Sequence, residues 1–325
     1  MAKLKYEFIA QYYEKHGRPF RAWLFGNIET INKVGSLLAP LSNWLSKAAP
    51  SRALMEMVGI ASERSLPPFA SRTFDRWFSQ RHGLKSDKKI ALFADTYLNY
   101  NYPAIGESAT EIFEAAGYEV ILAEKRCCGR PMLTGGMMAE VKQTGAYNVD
   151  RLYEYVKDGY DIVGFEPSCV SMLTDDYLDL IPGEKTRAVA DRSYTFESLI
   201  SKLNQEGSLD VSFTDHQKTI LVHGHCHQKA LWGIEPSLDV LNLPPGFSAS
   251  AIDSACCGMA GSFGFEKEHY DVSLKIGEQR LLSVVREAES NVEIAAAGLS
   301  CREQITQTTG RPARHPAELL REALA

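Results

Sequence analysis

The 325-residue chain has no surplus of positive charge: 35 Lys and Arg against 41 Asp and Glu leave a formal charge of −6. It therefore carries no electrostatic footprint for nucleic acid. It has no apolar stretch approaching the roughly 20 residues that span a bilayer. Its first residues, Met1 to Tyr6, lack the apolar core of a signal peptide, so the expected location is cytoplasmic. There is no Cys-x-x-Cys-x-x-Cys run, and cysteine is scarce, at seven residues. In a reducing cytosol, thiols at fixed spacing read as metal ligands or redox centres rather than disulfide partners. The remaining composition, 45% hydrophobic and 23% charged, is that of a globular protein with room for two cores.

What the chain does contain is a duplicated pattern that uses all seven cysteines. Lys89 to Thr96 aligns with Thr219 to Cys226, and 30 residues separate Thr96 from Cys127 where 29 separate Cys226 from Cys256. Each copy has an adjacent pair followed by glycine, Cys127-Cys128-Gly129 and Cys256-Cys257-Gly258. Each then reaches a lone cysteine, Cys169 after 40 residues and Cys301 after 43. Such self-similarity marks a duplicated structural unit. The copies differ where Thr96 stands opposite Cys226, so the first offers three thiols and the second four.

Residues up to about Gly83 read as helical and irregular, with apolar stripes such as Leu37, Leu38, Leu41, Trp44 and Leu45 that suit packing or contact with a membrane surface. From Lys89 strands alternate with helices. The first copy has a strand at Ile90 to Phe93, a helix from Pro103 to Ala116 capped by Gly117, a strand from Tyr118 to Leu122, a helix from Val141 to Val156 and a strand from Ile162 to Phe165. The second has strands at Ile220–Val222, Ala249–Ile252 and Val292–Ala296, one helix from Tyr270 to Glu287, and a closing helix within Pro312 to Ala325. Alternation of this kind predicts parallel sheets with both faces covered. The expected fold is α/β, two pseudo-twofold-related units behind a helical segment, with boundaries at 1–87, 88–214 and 215–325.

In open parallel sheets functional groups gather at the carboxyl ends of the strands, and Cys226, Cys256-Cys257 and Cys301 each follow a predicted strand. Two neighbouring thiols diverge too much to share one tetrahedral zinc easily, and suit a multi-iron cluster in which each sulfur reaches a different iron. Gly129 and Gly258 allow close backbone approach and positive φ. The first-choice ligands are Cys226, Cys256, Cys257 and Cys301; Cys127, Cys128 and Cys169 form a second candidate site. Structural zinc remains the alternative. His223, His225 and His227 fit as hydrogen-bonding neighbours or ligands, Asp95 and His225 as groups that could pass a proton, and Gly261 to Gly264 as donors to cluster sulfides.

At Arg126-Cys127-Cys128-Gly129-Arg130-Pro131, His223-Gly224-His225-Cys226-His227-Gln228 and Ser254-Ala255-Cys256-Cys257-Gly258-Met259 the chain resembles the cysteine-rich CCG-domain family, over roughly Lys88 to Gln307. That family includes the cysteine-rich component of heterodisulfide reductase, the iron–sulfur component of glycolate oxidase, and the C-terminal parts of FAD-linked D-2-hydroxyacid dehydrogenases, which it resembles most. The family pattern has a cysteine at Thr96 and a Cys-x-x-Cys whose first position falls on Glu166 and Gly298. Their replacement argues against a five-cysteine noncubane cluster and disulfide reduction. A four-thiolate [4Fe-4S] cluster remains compatible.

The resemblance implies an electron-transfer module of a flavin-dependent D-2-hydroxyacid dehydrogenase, inactive on the hydroxyacid by itself. FAD would sit on a separate partner domain or polypeptide, a ferredoxin-like module would relay electrons, and a quinone or membrane-surface acceptor would take them at the inner face of the membrane. The chain is expected to correspond to the C-terminal third of a larger enzyme. The rival readings are a non-redox zinc-binding docking module and thiol–disulfide catalysis.

Overall fold

A computed structural model describes residues 2–325. It contains two four-stranded sheets, every pairing parallel. The first is built from β1 (Lys89–Phe93), β2 (Glu119–Leu122), β3 (Asp161–Gly164) and β4 (Ser193–Thr195) in the order β2-β1-β3-β4. The second, from β5 (Lys218–Val222), β6 (Phe247–Ala251), β7 (Glu293–Ala295) and β8 (Ala313–Arg314), repeats that order as β6-β5-β7-β8. The predicted duplication is thus a duplicated topology.

The strand pattern follows from burial on both faces. In β1, Ile90, Ala91, Leu92 and Phe93 are all fully buried, and alternate residues enter different cores. Ile90 and Leu92 join a core with Phe113, Phe165 and Phe196 that also takes Val240, Ala317 and Leu320 from the second unit, so it fastens the two units together. Ala91 and Phe93 face an outer core that contains Cys127, Cys128 and Cys169. The corresponding outer core of the second sheet holds Cys257 and Cys301 with Ile294 and Ile305. Five of the seven cysteines are thus part of the apolar packing of the outer faces.

The helix predicted from Pro103 spans Pro103–Ala115, its apolar face is buried, and Gly117 takes the left-handed φ of 82° expected of a helix stop. Several elements differ from expectation. The helix expected over Tyr270 to Glu287 is two helices, Tyr270–Glu278 and Leu281–Glu287, broken at Arg280 (φ −149°) so that Leu281, Leu282 and Val285 turn into the core. Strands β4 and β8 were not foreseen, since three and two residues carry no readable period.

The N-terminal residues form helices, among them Ala2–His16, Ile28–Leu37 and Ala39–Lys47. They lie against both units. Asn32 Nδ2 donates to Asn101 Oδ1 at 3.0 Å, and the buried Arg64 donates to the Gly264 carbonyl at 2.9 Å. Leu4, Phe8, Leu37, Trp44 and Met57 on this segment remain exposed.

Candidate metal–sulfur sites

In each sheet the chain leaves its first strand to one side and returns to the other. The central strand and its later neighbour, β1 and β3 or β5 and β7, therefore bracket a topological switch point, where ligand sites form beyond the carboxyl ends. Thr96, Cys127 and Cys169 follow the ends of β1, β2 and β3; Cys226, Cys256 and Cys301 follow β5, β6 and β7. Fold symmetry extends to single residues. Asp95 and His225 are N-caps of the helices Thr96–Tyr100 and Cys226–Leu231, placing Thr96 and Cys226 each at a first helical position. Glu166 and Gly298 are N-caps of Pro167–Ser171 and Leu299–Thr309, placing Cys169 and Cys301 each at the third.

In the first site Cys127, Cys128 and Cys169 are all buried, and the Cys128 and Cys169 sulfurs lie 2.9 Å apart. Their backbone is held from several sides. Asn148 Nδ2 donates to the Cys127 carbonyl (3.1 Å), Tyr177 Oη to that of Cys128 (2.7 Å), and the Cys127 N–H donates to Glu29 Oε2 (3.0 Å). Gly129 takes φ 81°, and a Cβ there would meet Val141 Cγ2 at 2.6 Å. Arg130, buried with Asp176 as its ion-pair partner, also donates to the Ser168 carbonyl (3.1 Å) and Ser171 Oγ (2.7 Å). It thereby ties the paired-cysteine loop to the helix of Cys169.

In the second site Cys257, Cys301 and His223 present ligand atoms within 4.8 Å of one another. Cys226 belongs to a separate set with His225 and His227, and its sulfur lies 3.7 Å from His227 Nδ1. Cys226 is exposed and Cys256 partly so. The Gly258 N–H donates to the Cys256 sulfur at 3.3 Å. Gly258 has φ 91°, and a Cβ there would collide with the Ser273 carbonyl at 2.1 Å. Gly264 N–H is spent on the Met259 carbonyl (2.9 Å), so the expected donation from this turn to cluster sulfides is not found at that residue.

Without metal, the surroundings of Cys127, Cys169, Cys226 and Cys256 favour the protonated thiol. Cys127 is pushed up by the adjoining Cys128 thiol and by burial, Cys256 by Cys257 and burial, and Cys226 by burial. For Cys169 the Cys128 contact pulls downward, but burial and the carboxylates of Asp95 and Glu166 raise it to about 11. Binding a cation would expel these protons. Burial lowers His223 to about 4 and His225 and His227 to about 3, leaving neutral imidazoles. Asp95, raised to about 6 by burial and Glu166, is held by the Tyr97 and Leu98 N–H groups at 2.9 and 3.1 Å.

The two positions that depart from the family's Cys-x-x-Cys lie together across the pseudo-twofold. Glu166 Oε2 accepts from the Leu299 N–H at 2.7 Å, and its Oε1 lies 3.8 Å from His225 Nε2. Gly298 packs so tightly on His225 that a Cβ would fall 2.3 Å from its ring. Glu166 thus links the two units and Gly298 leaves room for that link. Sequence reasoning found no role for Glu29, Arg130, Asn148 or Tyr177; each acts across at least 20 residues, and only the fold shows its partner.

Among the described residues, no helix is long and apolar enough to cross a membrane. The family model of the cysteine-rich CCG domain matches residues 91–174, from β1 to just beyond Cys169. One component of the anaerobic glycerol-3-phosphate dehydrogenase of Escherichia coli (strain K12) is 26% identical over 310 residues, 94% of this chain and 77% of that protein. The D-2-hydroxyglutarate dehydrogenase of the same organism is 24% identical over 329 residues, 98% of this chain but 32% of its own length. Lactate utilization protein A 1 of Bacillus mycoides (strain KBAB4) is 25% identical over 224 residues, 66% of this chain and 85% of that protein. The matched segment contains the first paired-cysteine glycine motif, and the second motif recurs at Cys256-Cys257-Gly258 outside it.

Proposed function

We propose that this chain is an iron–sulfur electron-transfer module of a flavin-dependent D-2-hydroxyacid dehydrogenase, organised as a helical segment (1–87) and two repeats (88–214 and 215–325). Its kinship with a component of one dehydrogenase and with a D-2-hydroxyglutarate dehydrogenase supports a dehydrogenase partner. The observation that carries the reading is the dispersion of thiols in the second repeat. A tetrahedral zinc with Zn–S near 2.3 Å draws its four sulfurs to about 3.8 Å of one another. Cys226 stands outside the set formed by Cys257 and Cys301, which suits a larger inorganic core with one thiolate per iron.

Cys226, Cys256, Cys257 and Cys301 would hold a [4Fe-4S] cluster, and Cys127, Cys128 and Cys169 a second centre. Such a cluster accepts and releases single electrons. The chain's own residues set its surroundings: neutral His223 beside Cys257 and Cys301, the Gly258 N–H on the Cys256 sulfur, and apolar packing around Cys257 and Cys301. Electrons would arrive from FAD on the partner through a ferredoxin-like module. They would leave to a quinone or other acceptor, with the exposed Leu4, Phe8, Leu37 and Trp44 available for contact with the inner membrane surface.

A second reading is favoured by one observation: Cys257, Cys301 and neutral His223 lie close enough to begin a structural zinc site, which would make the chain a docking module. A dye-mediated redox titration of anaerobically prepared protein separates the two. Reversible bleaching of a broad visible band supports electron transfer. A colourless protein with no redox-active chromophore and bound zinc would establish the docking module instead.

A further inference from the structure

The first site has three cysteines and a buried hydroxyl where the second has its fourth. Thr96 occupies the first position of its helix as Cys226 does of its own, each behind a side-chain N-cap. The Thr96 side chain is buried, and among the described residues its hydroxyl has no hydrogen-bond partner. An unpaired buried hydroxyl is costly and rare in a packed interior, so its persistence at the position that Cys226 holds in the second repeat points to a partner that comes with the site's occupant. The neighbouring carboxylates are already engaged. Asp95 Oδ1 caps its helix, while Glu166 accepts from Ser168 Oγ (2.9 Å) and the Leu299 N–H (2.7 Å). Glu29 on the helix Ile28–Leu37 closes the site from outside through the Cys127 N–H and an ion pair with the buried Lys125.

We propose that the first site binds a [4Fe-4S] cluster through only three thiolates, Cys127, Cys128 and Cys169, with its fourth iron facing Thr96 and taking an oxygen donor, the Thr96 hydroxyl or a water that it holds. This rests on the iron–sulfur reading above and extends it to a site of different chemistry. The two sites are then unequal. The second is a four-thiolate, partly exposed centre suited to passing electrons. The first is an enclosed centre whose unique iron is open to small oxygen ligands and is the first to leave. One-electron oxidation by ferricyanide removes it as [4Fe-4S]2+ → [3Fe-4S]+ + Fe2+ + e−, the electron reducing ferricyanide to ferrocyanide.

The test uses the full chain carrying both Cys256→Ala and Cys301→Ala, which leaves the second site only two thiols and the first site intact. Anaerobic protein receives one equivalent of ferricyanide, released Fe2+ is captured by a chelator, and the frozen sample is examined by EPR. The expected result is about one Fe2+ per cluster together with the narrow signal of an oxidised three-iron cluster. Thr96→Cys, which completes the thiolate set, should suppress both by at least tenfold, and Thr96→Ser should behave as the parent. If Thr96→Cys fails to fold, Cys127→Ala in the same background serves instead, because it must abolish the signal. Equal signals from parent and Thr96→Cys would overturn the proposal. So would a doubly substituted chain devoid of iron while the unmutated chain retains its cluster, an outcome that leaves the electron-transfer reading of the second site intact. An unmutated chain without iron would overturn both.

Discussion

The two glycines that follow the cysteine pairs have the same left-handed backbone but different neighbours, and that difference sets a measurable asymmetry. Alanine in the left-handed region costs about 1–2 kcal/mol at either position. At Gly129 the added methyl meets Val141 Cγ2 at 2.6 Å, a side-chain atom on the helix Met138–Lys157. At Gly258 it meets the Ser273 carbonyl oxygen at 2.1 Å and the Gly277 nitrogen at 3.3 Å, so the whole helix Tyr270–Glu278 must move. Overpacking adds about 1–3 kcal/mol, with the side-chain obstacle at the low end and the backbone obstacle at the high end. Gly129→Ala should therefore cost about 2–3 kcal/mol and Gly258→Ala about 4–5 kcal/mol. Urea unfolding of the reduced apoprotein, followed by circular dichroism, reads both. Val141→Ala should relieve Gly129→Ala, giving a favourable coupling of about 1 kcal/mol in a double-mutant cycle, whereas no single side-chain truncation should rescue Gly258→Ala. Gly258→Ala should also lose iron from the second site, because it displaces the N–H that donates to Cys256. A Gly258→Ala protein as stable as Gly129→Ala, or one rescued by Val141→Ala, would refute this reasoning.

Two further predictions concern buried charge. Glu197 is fully buried, its carboxylate lies 3.6 Å from His315 Nε2, and neither oxygen has a hydrogen-bond partner among the described residues. Burial raises it to about 7, with Arg302 pulling the other way and Glu166 adding to the rise, while burial lowers His315 to about 3, so neither supplies the other with an opposite charge at neutral pH. Glu197 then holds a proton in the folded protein that it lacks in the unfolded chain between about pH 4.3 and 7. That contribution is complete at the acid end and is lost as pH rises through 7, at about 1.4 kcal/mol per unit. Subtracting the stability-versus-pH curve of Glu197→Gln from that of the unmutated protein should expose this slope, and parallel curves would contradict it. Arg130→Ala should cost about 3–5 kcal/mol in the same urea assay by leaving Asp176 buried without its partner, and a loss under 1 kcal/mol would show that the loop needs no such tie.

How far the sequence reveals this architecture depends on how local each feature is. Strands buried on both faces write themselves as apolar runs, so Ile90 to Phe93 and Ile220 to Val222 were legible, as were Gly129 and Gly258, whose left-handed φ values match the role inferred from their place after the cysteines. Duplication made the cysteine pattern readable, since each copy tests the other. β4 and β8 are held by pairing to β3 and β7 rather than by any pattern of their own. The bonds that fix the sites join residues distant in the chain: Glu29 to Cys127, Arg130 to Asp176, Glu166 to Leu299. Glu166 and Gly298 read in sequence only as missing cysteines, and the fold shows that one bridges the repeats and the other makes space for His225.

The central claim is that the thiols of the second repeat hold an iron–sulfur cluster. Iron, zinc and acid-labile sulfide per chain, measured on anaerobically purified protein with and without the paired substitutions Cys256→Ala and Cys301→Ala, test it most directly. The account predicts iron and sulfide in equal amounts, with about four irons lost on the double substitution. About one zinc per chain and no sulfide would contradict it.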